Sequence, residues 1–178
     1  MIEAKAFAPG HLTGVFQICT EGNDLLYWGA RGSGVSITKG VHTYVLAEKA
    51  QRLQHSIYIN EEQRIDAHVS ENVLNKYLTN CPKALDITIK HIIDTPITAG
   101  FGSSGSGALS LSLALNEILG TRLSRVEAAQ IAHIAEIECK TGLGSVFAAE
   151  NGGFGVLYEW SVVKKQKRTI FGRKPEEV

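Results

Sequence analysis

The sequence predicts an α+β fold: a twisted, mostly antiparallel sheet carrying helices on one side. Three observations lead there. The first half is rich in short, alternating, β-branched stretches broken by Gly, Pro and Asn turns. From Ser70 onward the apolar period shifts, and two consecutive helical stretches follow in the second half. No βαβ unit repeats, so a doubly wound parallel sheet is not expected.

Residues 2–8 alternate loosely and run into Pro9-Gly10, a turn signal. Leu12–Cys19 is a second extended stretch, and Glu21-Gly22-Asn23-Asp24 makes a turn. Trp28 to Gly34 (WGARGSG) reads as a glycine-rich loop. Val35–Ile37 and Val41–Ala47 read as two strands around a Lys39-Gly40 hairpin turn. Ser56–Asn60 pairs with a short partner near Arg64 across Asn60-Glu61-Glu62. Ser70-Glu71-Asn72-Val73 has the form of a helix cap with an early acid, and Val73, Leu74 and Leu78 mark an apolar stripe up to Thr79. Ala84–Ile93 alternates, with Leu85, Ile87, Ile89 and His91 on one face of a strand. After a loop at Thr95-Pro96, Ser104–Leu119 is small and apolar and ends at Gly120, a buried helix with a glycine stop. Ser124 followed by Glu127 is a capping box opening a helix through Ile137, stopped by Gly142 and Gly144. Phe154–Trp160 is a final strand, and Lys164-Lys165-Gln166-Lys167-Arg168 begins a polar tail. The expected organisation is therefore one domain over 1–160 and a basic tail over 161–178.

A chain of 178 residues holds one well-cored domain, or one large and one very small domain. Apolar residues at 44% and charged residues at 20% are an ordinary globular balance. Lys plus Arg equals Asp plus Glu at 18 each, and only the last fifteen residues carry a basic excess, so nucleic acid is not an expected partner. No run of 18 apolar residues exists, so no membrane span is expected, and the N-terminus is too short and mixed for a signal peptide. Cys19, Cys81 and Cys139 sit far apart and in no metal-ligand spacing, which suits protected thiols in a reducing compartment better than a disulfide. The cytoplasm is the default location.

The chemistry concentrates in Pro96-Ile-Thr-Ala-Gly100-Phe-Gly102-Ser103-Ser104-Gly105-Ser106-Gly107. Glycines let backbone N–H groups approach an anion closely, and the helix that follows aims its positive end at the same place. Ser103, Ser104 and Ser106 add hydroxyls for phosphate oxygens or a hydrated magnesium ion. An ordinary glycine-rich loop capping a core helix is the plain alternative. A P-loop is excluded because no Gly-Lys-Ser or Gly-Lys-Thr occurs, and a Rossmann turn would need a strand directly before Gly100.

The string resembles the second signature of the GHMP kinases, which runs Pro-x-x-x-Gly-Leu-Gly-Ser-Ser-Ala; here Phe101 replaces the leucine and Gly105 the alanine. Ala8-Pro9-Gly10 is similar to the family's opening signature, with His11 where many members carry lysine. Within the family the likeness is to the archaeal pantoate kinases, which phosphorylate pantoate on the way to coenzyme A. It runs through Ala6–Phe16, Gly29–Val35, Gly100–Asn116, and Ala132–Glu136 with Thr141-Gly142-Leu143-Gly144.

The resemblance implies a GHMP kinase N-terminal domain of the ribosomal protein S5 domain 2-like fold, with ATP and Mg2+ as cofactors and a small hydroxy acid as substrate. It implies that Gly100, Gly102, Ser103, Ser104, Gly105, Ser106 and Gly107 hold the nucleotide phosphates, and that Glu136 and Ser104 hold the metal. Exposure on a helix surface is the alternative for Glu136. Arg31 is the expected anchor of the substrate carboxylate, since a guanidinium forks onto carboxylates, with His11, Thr13 and Gly142 lining the acceptor pocket. Without the resemblance, His11 and Arg31 read as solvated or structural. His133 packs against or orients Glu136, and His42, His55, His68 and His91 read as structural.

Two departures from the family pattern follow. Ser145 stands where pantoate kinases carry an aspartate that serves as base or orienting group. Arg31, His11 and Ser145 then make up the expected catalytic set, at a rate lowered by roughly 10²–10⁴ if the lost group is a general base; Glu150 is the nearest acid that could substitute. The family's usual C-terminal domain is also expected to be absent, since the likeness ends near Phe154. A homodimer or a separate chain is then expected to supply it, and an excised domain, a short paralogue and half of a split enzyme all remain open. A relative that binds nucleotide or metabolite with little turnover is the alternative function.

Overall fold

Alternation in the first fifty residues produces one long ribbon rather than four short strands. Strands β1 (Ile2–Thr20) and β2 (Trp28–Lys49) pair antiparallel along nearly their whole length, joined through a 3-10 turn at Leu25–Tyr27. The computed structural model describes residues 1–79, 84–158 and 168–171. The predicted turn at Pro9-Gly10 lies inside β1, where register shifts between Pro9 and His11 and between Thr13 and Val15 absorb the irregularity as bulges. Proline is tolerated there because β1 pairs only with β2 and is an edge strand. The predicted Lys39-Gly40 hairpin and the Trp28–Gly34 loop are corrected in the same way, since both lie inside β2. Glycine answers a steric demand at these points. A Cβ on Gly40 would collide with the Ala8 carbonyl, and one on Gly34 with the Leu12 carbonyl and the His11 ring.

Strands β3 (Gln54–Ile59) and β4 (Glu62–Gln63) form the predicted hairpin, with Asn60 and Glu61 at positive φ as a tight two-residue turn requires. Strand β5 (Leu85–Ile93) runs antiparallel to β2 and parallel to β3. Strand β6 (Phe154–Leu157) returns antiparallel to Gly32–Val35 of β2, and β7 (Arg168–Phe171) pairs with β6. The sheet order is β4-β3-β5-β2-β6-β7, with β1 along the other edge of β2. The sheet is mostly antiparallel, as predicted. Because β5 takes Val41–Lys49 and β6 takes Gly32–Val35, the ribbon is divided into two halves with different neighbours.

Helices α1 (His68–Leu78), α2 (Ser103–Leu119), α3 (Arg125–Glu138) and α4 (Ser145–Asn151) pack with the sheet. The α2 helix contacts β1 and β2 and is flanked by the other three helices; its Ala108, Leu109, Leu111, Ala114 and Leu115 are buried against Val45, Ile87 and Ile89 in one core. Its glycine stop is as predicted, with Gly120 left-handed at the C-terminus. The Ser124–Glu127 capping box of α3 also forms. The predicted cap of α1 does not: the helix starts at His68, and Ser70 is buried with its hydroxyl bonded to His91 Nε2 at 3.0 Å. His91 Nδ1 shares a hydrogen bond of 2.8 Å with Thr43, whose hydroxyl also bonds Ser110 at 2.6 Å. Burial pushes His91 down to about 4, so this network is neutral. The α4 helix was not foreseen, being too short at seven residues for a period to register.

Residues 159–160 of the predicted last strand, and 161–167 and 172–178 of the predicted tail, lie outside the described residues, as does Cys81; residues 168–171 of the tail belong to β7. Cys19 and Cys139 are free thiols. Among the described residues no helix is long and apolar enough to cross a membrane.

Candidate active site

The second half of the ribbon, the start of α2, the end of α3 and the turn into α4 enclose a cleft of about 610 Å³. The backbone makes this junction before any side chain is considered. His11 N–H donates to the Phe101 carbonyl at 2.8 Å, tying the bulge of β1 to the glycine-rich turn. Gly100 and Gly102 are both left-handed, at φ 82° and 66°, and Gly102 caps α2 without a side-chain bond. A residue with a Cβ would be strained there. The first N–H groups of a helix have no partner within it, so those at the start of α2 are donors at the cleft's edge.

Of the residues expected to form the site, His11, Thr13, Arg31 and Gly142 line the cleft, as do Gly100, Gly102, Ser104 and Gly105, and also Glu136 and Ser145. Ser103, Ser106 and Gly107 are not part of the lining. Ser106 corrects the expectation most directly. It is wholly buried and its hydroxyl donates to the Pro9 carbonyl at 2.7 Å and the Gly102 carbonyl at 3.1 Å, so it braces α2 against β1 and does not face an anion.

Glu136 is buried, not exposed, at 1% accessibility. Its Oε1 accepts hydrogen bonds from the hydroxyls of Ser104 and of Thr141, the latter at 2.6 Å, and Oε2 accepts from Ser145 at 3.0 Å. Two glycines leave the room for this arrangement. A Cβ on Gly105 would strike the Ser145 side chain, and one on Gly142 would strike the Glu136 carboxylate. Gly105, where the resembling signature has alanine, is thus matched to the serine it faces. The donor set is one carboxylate among hydroxyls, all hard oxygen ligands, and no group of three or more His, Cys, Asp or Glu side chains placed to hold a metal occurs among the described residues. It fits magnesium, which takes one or two carboxylates and completes its shell with water and phosphate oxygens.

The other candidates sort by contact. The His11 ring stacks against Gly34 with Nδ1 buried and unpartnered, and burial lowers its pKa, so the ring is neutral near pH 7. His133 Nε2 donates to the Trp28 carbonyl at 2.9 Å and its ring meets Phe147 edge-on, so it packs α3 onto β2 rather than bonding Glu136. Its pKa is also lowered by burial. Glu150 cannot stand in for the missing aspartate: it pairs with Arg125 at 3.4 Å and lines a separate small pocket with Phe7 and Thr38.

Sequence reasoning missed three features of the cleft. Thr141 is the second hydroxyl on Glu136 Oε1, and it also bonds the Glu136 carbonyl. Lys140 lines the cleft in a left-handed conformation, φ 58°. Val15, Phe16 and Ile18 form an apolar wall that remains 57–66% exposed. The visible signal for Lys140 and Thr141 is their place directly after α3, where the chain must reverse to reach Gly142.

Residues 65–153 match the family model of the GHMP kinases N terminal domain. The chain is 37% identical over 148 residues to the pantoate kinase of Methanocaldococcus jannaschii, covering 83% of this chain and 51% of that protein. It is 32% identical over 157 residues to the pantoate kinase of Methanospirillum hungatei, covering 86% and 52%. A solved structure described as a phosphotransferase related to the CoA biosynthesis pathway superposes with a TM-score of 0.88 at 27% identity, over 97% of this chain and 58% of its own. The chain thus spans about half the length of the curated relatives it matches. The family match takes in both the left-handed glycine turn that opens α2 and the buried Glu136, and the chain belongs to the GHMP kinases.

Proposed function

We propose that this chain is the nucleotide-holding half of a kinase that transfers the terminal phosphoryl group of ATP to a hydroxyl of pantoate. GHMP kinases as a family use ATP and magnesium. The observation that carries the reading is the meeting of the α2 N-terminus with the buried Glu136 and its hydroxyls in one cleft. Its likeness to pantoate kinases points to the acceptor.

In this reading the N–H groups after Gly102 hold phosphate oxygens, and Ser104 and Glu136 hold the metal. Magnesium, when bound, would neutralise charge on the phosphates during transfer. Arg31 holds the acceptor carboxylate while His11, Thr13 and Gly142 shape the pocket beside it. His11 serves as a neutral hydrogen-bonding group, since burial disfavours its charged form. In the overall step the acceptor hydroxyl oxygen bonds to the γ-phosphorus, the bond to the bridging oxygen breaks, ADP leaves, and the hydroxyl proton is released.

A second reading is favoured by Ser145, whose hydroxyl is bound to Glu136 Oε2. A serine does not accept a proton as a carboxylate does, so the chain would bind nucleotide and metabolite with little turnover. One experiment tests both. Calorimetric titration with ATP and magnesium, then ADP release with pantoate against mevalonate and homoserine as controls, should give binding that Gly102→Val removes. Pantoate-dependent ADP release supports the kinase; binding without it supports the second reading. Equal binding by the Gly102 variant would rule out the assigned loop.

A further inference from the structure

Five non-glycine residues of the described chain have positive φ: Asn60, Glu61, Thr98, Arg122 and Lys140. Asn60 and Glu61 make the β3–β4 turn, and neither Thr98 nor Arg122 lines the cleft. Lys140 does. It follows the end of α3, with its N–H donating to the Ile137 carbonyl at 3.0 Å, which is the position helices ordinarily give to glycine. A side chain there costs stability that glycine would not. Lys140 is exposed and has no ion pair or side-chain hydrogen bond among the described residues.

Charge is what the position gains. The charged side chains lining the cleft are Arg31, Lys140 and Glu136, and Glu136 is enclosed by hydroxyls. His11, on the facing bulge, is held neutral by burial. A nucleotide and a carboxylic acid together carry more negative charge than one magnesium ion and Arg31 balance. Lys140 precedes Thr141, which holds Glu136, so its stem is fixed beside the metal-type ligands by the backbone itself.

We propose that Lys140 is a ligand-binding residue of this cleft, its ammonium group engaging an anionic oxygen of the bound substrates, and that its strained backbone is retained for that contact. This rests on the proposed function and adds a residue to it. The oxygen belongs either to the acceptor carboxylate or to a nucleotide phosphate, and separate titrations with pantoate and with ATP and magnesium distinguish the two.

The test uses the 178-residue chain with Lys140→Gly and Lys140→Arg. Glycine removes the charge and relieves the backbone, so the thermal midpoint should rise by a few degrees while affinity for one of the two ligands falls about tenfold. Arginine keeps the charge and the strain, and should keep both values close to those of the unaltered chain. A merely structural lysine would give the higher midpoint with unchanged affinities, and that result overturns the proposal. If the unaltered chain binds neither ligand, the proposed function fails and the inference falls with it. Binding by the unaltered chain that Lys140→Gly leaves intact removes the inference alone.

Discussion

The two halves of the β1–β2 ribbon are built from similar alternating sequence and come to opposite ends. In the first, Ile2–Pro9 pairs with Gly40–Ala47, β5 extends the sheet, and Ala4, Ala8, Val45 and Ala47 are buried beneath helices. In the second, His11–Thr20 pairs with Trp28–Ser36, and Val15, Phe16 and Ile18 remain largely exposed as a cleft wall. The candidate site lies where the halves join, at the Pro9–His11 bulge. The closed half contributes rigidity and the open half contributes access.

The largest effect expected is at the boundary. Glu136→Gln should lower magnesium-dependent turnover by about 10³-fold, since one buried carboxylate carries the metal-type charge of the cleft. Steady-state ADP release measures it, and a change below tenfold would detach Glu136 from the site. The halves themselves are compared by a matched truncation. Ile89→Ala, fully buried on β5 opposite Val45 of the closed half, should cost about 2–5 kcal/mol in urea unfolding. Ile18→Ala, 57% exposed in the open half, should cost less than about 0.5 kcal/mol. Equal costs would mean that the open half is covered in solution.

A pH dependence belongs to the closed half. His91 has a folded pKa of about 4 against the ordinary 6.5, so the unfolded chain takes up its proton first. Its contribution is complete above about pH 6.5 and is lost as pH falls toward 4, a difference of about 3 kcal/mol. His11 and His133, lowered by burial, add in the same direction. Unfolding midpoints across this range should fall with acid, and His91→Gln should flatten the fall without changing nucleotide binding. The effect at Ser145 depends on how far the cleft closes. Ser145→Asp should raise pantoate-dependent turnover about 10²-fold if a base is the only deficiency. No change would direct attention to the open half and the water it admits.

The contrast between the halves also marks how far the sequence could be read. The α2 helix was legible because Leu, Ala and Ser dominate from Ser104 to Leu119 and Gly120 follows, and α3 because Ser124 and Glu127 cap it locally. Pairings decided by distant residues were not. Pro9, Gly34 and Gly40 carry turn chemistry yet sit in strands: the opposite strand approaches Gly34 and Gly40 too closely for a Cβ, and Pro9 lies at a bulge of an edge strand. Exposure was equally hidden: alternation at Leu12–Cys19 states which residues share a face, and it is the lack of a helix over that face, among the described residues, that leaves it open. In the site, Ser104 and Glu136 converge as the family resemblance implies, while Ser106 turns inward because Pro9 O is within reach. Thr141 opens the Thr141-Gly142-Leu143-Gly144 block, but nothing in that block says that its hydroxyl reaches Glu136.

Strand β6 joins β2 roughly 120 residues later in the chain, while β1 and β2 meet across a short turn. During synthesis the ribbon therefore emerges well before β6, with Val15, Phe16 and Ile18 bare and its Gly32–Val35 edge unpaired, until Phe154–Leu157 leaves the ribosome. An unpaired edge beside apolar side chains is where nascent chains adhere to one another. Yield of folded protein should thus depend on how quickly the ribosome completes the segment from α2 to β6, independently of how stable the finished molecule is.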